Sequence, residues 1–253
     1  MELKNQVVLV TGGSRGLGAE TVKAFAREGA RVVINYFQSE EKAKQLAELI
    51  GDAALAVQAD VRDSEQVQSM FRQAKEHFGT PITTVVNNAL VSFKFDPVTN
   101  KDAFSVGWED YHAQLEGAIR GALNTIQAGL HDMKESEFGK IINIGTNLFQ
   151  NPVVAYHDYT TSKAALLGFT RNMANDLGKY GITVNMVSGG LLKTTDASSA
   201  TSEEVFQLIQ SSTPLRKVTD PAEAADAVVF FASPWGRAVT GQNLVVDGGL
   251  VMD

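Results

Sequence analysis

Seven short, β-branched runs alternate with longer helical stretches along this chain of 253 residues. The predicted strands are Gln6–Thr11, Arg31–Asn35, Ala54–Gln58, Ile82–Val86, Lys140–Gly145, Thr183–Val187 and Asn243–Val246. The predicted helices are Gly16–Glu28, Glu40–Ile50, Ser64–Phe78, Trp108–Met133, Asp158–Tyr180 and Pro221–Ala232. Several strands are continuously apolar, such as VVLV at 7–10, which is typical of strands buried on both faces of a parallel sheet. The alternation predicts an α/β fold with a doubly wound, seven-stranded parallel sheet and helices on both faces.

One segment interrupts this alternation. Residues 191–214 hold two leucines, a run of threonine, serine and alanine, and a short predicted helix. We interpret this segment as a lid over a site. No low-complexity tract or interdomain linker divides the chain, so we expect a single domain over residues 1–253. At the start of the third helix, Ser64 is expected to be the capping residue.

Composition restricts the partners of the chain. The 22 Lys and Arg against 29 Asp and Glu give a formal charge of −7, a surface that repels nucleic acid and anionic lipid. The absence of cysteine excludes disulfides and thiolate metal sites, and the four histidines have no metal-binding spacing. The sequence has no secretory signal pattern and no apolar run long enough for a membrane span. We therefore expect a cytoplasmic protein with no metal ion, nucleic acid or membrane partner.

A glycine-rich turn lies between the first predicted strand and the first predicted helix. It reads Thr11-Gly12-Gly13-Ser14-Arg15-Gly16-Leu17-Gly18. Glycines let the backbone approach a pyrophosphate closely, and the helix N-terminus offers free N–H groups and a positive dipole. The alternative is a glycine-rich turn without a ligand, which the strand–turn–helix context disfavours. The turn alone is compatible with many nucleotide-binding families.

Tyr159 and Lys163 are four residues apart on a predicted helix, and they therefore lie on one face of it. A phenol ordinarily titrates near about 10, and a neighbouring ammonium favours the phenolate. Tyr159 can then protonate a carbonyl oxygen or remove the proton of an alcohol. A Tyr-x-x-x-Lys pair is a weak signal alone, and the alternative for Lys163 is an exposed helix cation.

In combination, these motifs resemble those of the short-chain dehydrogenase/reductase family, and the resemblance covers the whole chain. The TGxxxGxG form of the turn is the family pattern. Further matching motifs are Asp60-Val61, Asn87-Asn88-Ala89, Tyr159-Thr160-Thr161-Ser162-Lys163 and Val246-Asp247-Gly248-Gly249. The chain looks most like the 3-oxoacyl-carrier-protein reductase group. The resemblance implies a Rossmann-type domain that transfers a hydride between nicotinamide and a carbonyl or alcohol, assembled as a homotetramer or homodimer.

The resemblance also assigns roles to residues. Tyr159 would be the acid/base, and Lys163 would tune its pKa and bind the nicotinamide ribose. Thr146 stands where the family has a serine, thirteen residues before the tyrosine, and its hydroxyl would hold the substrate oxygen. The alternative for Thr146 is a strand-end threonine with a local backbone bond. The residues expected to contact the cofactor are Gly12, Ser14, Arg15, Gly16, Leu17, Gly18, Tyr36, Ser39, Asp60, Val61, Asn88, Ala89, Tyr159, Lys163, Gly190, Leu192 and Thr194.

Cofactor preference is predicted from charge at the end of the second strand. Asn35-Tyr36-Phe37-Gln38-Ser39 contains no carboxylate, whereas relatives that prefer NAD use an Asp there to bind the ribose 2′-hydroxyl. Arg15 offers a cation near the same point, although a solvated surface arginine is the alternative. The sequence therefore favours NADP(H).

Besides Thr146, three further sites depart from the family pattern. Ala118 stands where an asparagine usually helps to hold a water of the proton relay, and Leu90 replaces a glycine. Gly189-Gly190 replaces Pro-Gly, which is expected to loosen the hinge of the lid. Ala118, Thr146 and Leu90 favour the alternative of a catalytically weakened NADP(H)-binding sensor or assembly subunit, whereas the intact Tyr159 and Lys163 favour an enzyme.

Apolar residues in three strand-end loops are expected to converge. They are Leu90, Phe93, Phe95, Leu148, Phe149, Leu191 and Leu192. They would line a pocket for an apolar carbonyl compound, with core or subunit packing as the alternative for any one of them.

Overall fold

The computed structural model describes residues 1–91, 100–193, 195, 198–199 and 201–252. The strands are β1 (Val7–Val10), β2 (Arg31–Tyr36), β3 (Ala54–Gln58), β4 (Thr84–Asn87), β5 (Gly139–Thr146), β6 (Ile182–Gly189) and β7 (Asn243–Val246). The helices are α1 (Gly16–Arg27), α2 (Glu40–Ile50), α3 (Ser64–Phe78), α4 (Trp108–Leu115), α5 (Gly121–Glu135), α6 (His157–Leu177), α7 (Glu203–Ser212) and α8 (Pro221–Ala232). Among the described helices, none is both long and apolar enough to cross a membrane.

All seven strands form one parallel sheet in the order β3-β2-β1-β4-β5-β6-β7. The order reverses between β1 and β4, because the chain builds outward to β3 and then returns to the other side of β1. In open α/β sheets, ligands bind in the crevice outside the carboxyl ends of the strands at such a reversal. The predicted doubly wound, seven-stranded sheet is confirmed.

The continuous apolar run of β1 is explained by helices on both faces of the sheet. Val8 and Val10 belong to the apolar layer that includes residues of α1 and α8. Val7 and Leu9 belong to the opposite layer, with residues of α3 and α5. All four side chains are completely buried, and each such burial is worth about 1.5–3 kcal/mol. Because both faces are covered, β1 cannot alternate polar and apolar residues.

The cap of α3 differs from the sequence prediction. Asp63, not Ser64, is the N-cap residue. Its carboxylate accepts hydrogen bonds from the N–H groups of Glu65 at 2.9 Å and Gln66 at 3.1 Å. A carboxylate satisfies the free N–H groups and also interacts favourably with the positive end of the helix dipole. The prediction of Ser64 as the cap was wrong by one residue.

The long helix predicted over Trp108–Met133 is interrupted. A π-helical turn, Glu116–Arg120, separates α4 from α5. Gly117 lies in this turn and packs against Val91, since a Cβ on Gly117 would be 2.9 Å from the Val91 Cβ. Single π-helical turns within helices are often found at functional sites. This turn contains Ala118, one of the positions that depart from the family pattern.

The short helix predicted within residues 191–214 is α7. Leu192 forms an isolated parallel bridge with Thr219, and the Lys193 N–H donates to the Thr219 carbonyl at 3.1 Å. No residue of α7 is buried. The described part of this segment is therefore tied to the core near its beginning and lies on the surface along α7.

Candidate active site

Glycine geometry shapes the turn after β1. Gly12 and Gly16 have φ angles of +61° and +54°, in the left-handed region that favours glycine. A Cβ on Gly18 would collide with the Gly12 carbonyl oxygen, so the start of α1 packs directly against the turn. The turn thus presents the free N–H groups of α1 at the carboxyl edge of the sheet, an arrangement that binds phosphate groups.

The remaining predicted cofactor contacts in this turn differ in exposure. Ser14 is buried, and Leu17 is half-buried against the core layer of α1. Arg15 is exposed and is the N-cap residue of α1. Of the three side chains, that of Arg15 is the one most open to solvent.

Asn88 joins the turn after β1 to the loop after β4. Its side-chain amide donates to the carbonyls of Thr11 at 2.9 Å and Gly12 at 3.2 Å. The N–H groups of Asn88 and Ala89 donate to the Thr11 hydroxyl at 2.9 and 3.0 Å. These bonds connect β1 and β4, the two strands at the reversal of the sheet. The Asn88 amide therefore stabilises the glycine-rich turn.

At the end of β2, the predicted contacts separate into buried and accessible residues. Asn35 is buried, accepts from the Gly12 N–H at 3.2 Å and donates to the Ala59 carbonyl at 3.0 Å. Tyr36 is also buried in the core, and burial together with the nearby Glu40 carboxylate raises the pKa of its phenol. Ser39 is half-buried and is the N-cap residue of α2. The ring of Tyr36 packs in the core, and Ser39 is the more accessible predicted contact.

Asp60 is held by a cation that sequence reasoning missed. Arg62 donates to both carboxylate oxygens, from Nε at 3.0 Å to Oδ1 and from Nη2 at 2.7 Å to Oδ2. This pairing lowers the pKa of Asp60 below its usual range. The neighbouring Val61 carbonyl accepts from the buried Asn124 amide at 2.8 Å. The Asp-x-Arg spacing was the available signal for the ion pair, whereas nothing local in the sequence indicates Asn124.

Tyr159, Lys163 and Thr146 are brought together. Tyr159 and Lys163 are one turn apart on α6, and Thr146 is the last residue of β5. The Tyr159 and Thr146 side chains share a hydrogen bond. Lys163 Nζ lies 5.8 Å from the centre of the Tyr159 ring and donates to the Ile144 carbonyl at 2.7 Å. All three residues are at most 5% exposed.

Burial determines the protonation of this cluster. It raises the pKa of Tyr159 to about 12, against an opposing effect of the bond to Thr146. Burial also lowers the pKa of Lys163 to about 8. Both shifts have the same main cause, because a poorly solvated site disfavours the charged form of each group. The pKa of Tyr159 is therefore raised, opposite to the lowering that the neighbouring Lys163 ammonium was expected to produce. At neutral pH Tyr159 carries its proton and can donate it, while Lys163 is mainly an ammonium.

A small cavity separates the π-helical turn from α6. Its lining includes Asn87, Gly117, Ala118 and Lys163. The Ala118 methyl group cannot form the hydrogen bonds that the family's asparagine makes. The backbone of the π-helical turn nevertheless borders the same cavity as Lys163.

A chain of buried hydrogen bonds supports the helix that carries Tyr159. Thr125 Oγ1 donates to Asn87 Oδ1 at 2.7 Å, and Asn87 Nδ2 donates to Asn143 Oδ1 at 2.9 Å. Asn143 Nδ2 then donates to Thr170 Oγ1 at 2.9 Å. These four side chains link α5, β4, β5 and α6, and all are buried. Such satisfied polar networks make a packing arrangement rigid.

The predicted apolar pocket is only partly within the described structure. Phe93, Phe95 and the predicted cofactor contact Thr194 lie outside the described residues. Phe149 packs against a small buried cluster of Ala122, Leu166 and Met186. For Phe149, the structure therefore favours the alternative of core packing.

The chain is similar to known reductases over almost its whole length. Residues 12–251 match a family described as Enoyl-(Acyl carrier protein) reductase. A 3-oxoacyl-[acyl-carrier-protein] reductase of Synechocystis sp. is 34% identical over 99% of this chain and 98% of the relative. That of Vibrio cholerae is 30% identical over the whole of both chains.

Two of the solved structures that resemble this chain match it over almost its whole length. A blue fluorescent protein from a metagenomic library, in complex with NADPH, superposes with a TM-score of 0.86, 35% identity and complete coverage of both chains. A mutant of a Serratia marcescens short-chain dehydrogenase/reductase has a TM-score of 0.86 and 33% identity over 99% of each chain.

Proposed function

The chain belongs to the Enoyl-(Acyl carrier protein) reductase family of short-chain dehydrogenase/reductase proteins, and on that premise we propose its reaction and site residues. It is an NADP(H)-dependent oxidoreductase that transfers a hydride between the nicotinamide and a carbonyl or alcohol. The observation that carries the proposal is the buried cluster in which Tyr159 bonds Thr146 beside the Lys163 ammonium.

The residues present fit an NADP(H) molecule. The N–H groups at the start of α1 suit the pyrophosphate, and Gly12, Gly16 and Gly18 let it approach the backbone. Asp60 and Val61 would contact the adenine, while Arg15 and Ser39 would bind the 2′-phosphate. The NADPH complex of the similar blue fluorescent protein supports the same cofactor here.

In the proposed reduction, one oxygen atom of the substrate lies within hydrogen-bond distance of two hydroxyl groups. The Thr146 and Tyr159 hydroxyls would both donate to the carbonyl oxygen, which fixes its position. NADPH, when bound, would supply the hydride. Tyr159 would donate its proton to the carbonyl oxygen. The Lys163 ammonium stabilises the resulting phenolate until it regains a proton. Oxidation of an alcohol runs through the same steps in reverse.

The substrate we propose is a 3-oxoacyl thioester or another apolar ketone. The matched family is named for an enoyl reductase, but the curated relatives described above are 3-oxoacyl reductases. Two hydroxyl groups that donate to the same position can both hydrogen-bond a carbonyl oxygen, whereas a carbon–carbon double bond has no oxygen to accept these bonds. Leu148 and Leu191, in the loops after β5 and β6, would contribute the apolar lining.

We also propose a single domain over residues 1–253, with residues 191–214 as its lid. By analogy with the family, the protein is a cytoplasmic homotetramer or homodimer. The acidic surface, with a formal charge of −7, disfavours nucleic acid as a partner.

The test of this function is NADPH consumption with a panel of ketones and short 3-oxoacyl thioesters. We expect at least one substrate to give turnover above the substrate-free control. NADPH binding without turnover on any substrate would instead support a binding sensor. Ala118 favours that second function, since the family's relay side chain is missing there.

Thr146 provides a graded prediction. Thr146→Ser keeps the hydroxyl and should retain or raise kcat, whereas Thr146→Ala should lower kcat by about 10²–10³, the usual cost of losing one well-placed donor. Steady-state kinetics of both variants is the measurement. Equal rates for the serine and alanine variants would mean that the hydroxyl has only a structural role.

Cofactor preference gives a second prediction. We expect NADPH to bind at least about tenfold more tightly than NADH, equivalent to roughly 1.4 kcal/mol, because a guanidinium pairs strongly with a phosphate. Arg15→Ala should reduce this preference by weakening NADPH alone. The measurement is the dissociation constant of each cofactor, with Arg72→Ala on the exposed side of α3 as the control. Equal parental affinities would contradict the charge argument.

A further inference from the structure

The carboxylate of Asp247, directly after β7, is buried and accepts four hydrogen bonds. Oδ1 accepts from the N–H groups of Gly249 and Leu250, each at 3.0 Å, and Oδ2 accepts from that of Val251 at 3.0 Å. The fourth donor is the side-chain amide of Asn147, 100 residues earlier in the chain, at 2.9 Å from Oδ2. We call residues 247–251 the terminal turn. A buried carboxylate needs such donors, and Asn147 is the one that does not come from the turn itself.

The bond between Asn147 and Asp247 crosses the end of a strand. Asn147 directly follows Thr146 at the end of β5, and β6 lies between β5 and β7 in the sheet. Gly190, just beyond the end of β6, lies beneath the pair. A Cβ on Gly190 would be 2.8 Å from the Asp247 Cβ and 3.2 Å from the Asn147 amide nitrogen. Position 190 therefore has no room for a side chain, and this close packing opposes the loose hinge expected from the Gly189-Gly190 sequence.

The far end of the lid segment, residues 191–214, contacts the same terminal turn. The Leu215 N–H donates to the Gly248 carbonyl at 3.1 Å. A Cβ on Gly249 would be 3.0 Å from Pro214 Cγ. Gly190, just before the lid segment, and residues 214–215, at its far end, thus pack against the terminal turn. The side chain of Asn147 ties that turn to the strand end that carries Thr146.

From these contacts we infer that Asn147 is a positioning residue. It holds Gly190, a proposed cofactor contact, and the chain at residues 214–215 in a defined position relative to Thr146. The inference rests on the proposed function of this site. Without the Asn147 amide, Asp247 keeps its three backbone donors, so the fold persists while the terminal turn loses its side-chain connection to the end of β5.

The experiment compares Asn147→Ala with the parent protein by limited trypsin digestion, with and without saturating NADPH. Cleavage is followed by mass spectrometry at two exposed residues, Lys193 near the start of the lid segment and Arg216 two residues beyond its end. We expect the variant to be cut at least about tenfold faster without cofactor, as for loss of one hydrogen bond to a charged group. We also expect about tenfold weaker NADPH binding and a loss of kcat/KM that arises mainly from KM.

Asn185→Ala is the matched control. Asn185 lies in β6 and, like Asn147, is buried. Its side chain donates to the Val239 carbonyl at 2.8 Å and accepts from the Gln242 N–H at 3.1 Å. Its loss should lower Tm without changing cleavage at the lid or NADPH affinity. Equal changes in both variants would overturn the inference in favour of general destabilisation.

Gly190→Ala is a second variant that should disturb the contact between Asn147 and Asp247. Its added methyl group should separate Asn147 from Asp247 and produce the same faster cleavage after Lys193. Parental cleavage rates in this variant and in Asn147→Ala would overturn the inference. The cleavage rates measured without cofactor test the contact between Asn147 and Asp247 even if the parent protein reduces no substrate. Failure of this inference can therefore be distinguished from failure of the proposed function.

Discussion

Replacing Tyr159 with phenylalanine is expected to lower kcat for carbonyl reduction by about 10³, within the 10²–10⁴ that a general acid contributes. The substitution removes the hydroxyl group that shares a hydrogen bond with Thr146. The aromatic ring and its packing remain, so the NADPH dissociation constant should change by no more than about twofold. Initial rates of NADPH oxidation and a fluorescence titration of NADPH provide the two measurements.

Tyr180→Phe is the control for this substitution. Tyr180 is half-buried in the turn after α6, near Lys134 and Lys179 and away from Thr146. This variant should keep the parental kcat. If Tyr159→Phe retained more than about a tenth of the parental kcat, another group would have to donate the proton.

Lys163→Met is expected to lower kcat by at least about 10² and to weaken NADPH binding about tenfold. Methionine fills a similar volume, but it cannot stabilise the phenolate of Tyr159 or bind a ribose hydroxyl. For the parent, kcat for reduction should be constant below about pH 8 and should fall above it, as Lys163 loses its proton. The variant should lack this fall in its pH profile.

The same substitution is expected to stabilise the fold at neutral pH. Burial lowers the pKa of Lys163 from an ordinary 10.5 to about 8, so the folded chain binds this proton more weakly than the unfolded chain. The cost is about 3 kcal/mol below pH 8, and it is relieved as pH rises toward about 10.5. Loss of the bond to the Ile144 carbonyl offsets about 1 kcal/mol of the gain. Lys163→Met should therefore raise Tm at pH 7, with a smaller advantage at higher pH.

Lys140 offers a matched control on β5. It is also buried, and burial lowers the pKa of its ammonium. It lies near the amino end of β5, where it is paired with Thr84 and Thr183, and Thr146 is at the opposite end. Lys140→Met should change Tm without affecting kcat or NADPH affinity. A drop in kcat as large as that of Lys163→Met would mean that loss of any buried cation accounts for the effect.

Features that depend on neighbouring residues were predictable from the sequence. The apolar run of β1 indicated a strand covered on both faces, and the glycine-rich stretch after it indicated the turn between β1 and α1. The spacing of Tyr159 and Lys163 placed both on one face of α6. In each case the geometry follows from residues a few positions apart, so that periodicity and residue type contain the information.

Features that depend on packing were not predictable. The π-helical turn at Glu116–Arg120 contains Gly117, but the close contact of Gly117 with Val91 that accompanies the turn belongs to the tertiary structure. The cap at Asp63 was missed by one residue, because either side chain suits an N-cap and the backbone geometry decides between them.

The sequence by itself determined the succession of strands and helices along the chain, the glycine-rich turn and the residue types that transfer a proton. Only the tertiary structure decided how these groups behave. Burial sets the pKa values of Tyr159 and Lys163, and the folded sheet brings Asn147 to Asp247 across the end of β6. The physical reason is range: backbone preferences act over a few residues, whereas desolvation and contacts between strands exist only after the distant parts of the chain have packed together.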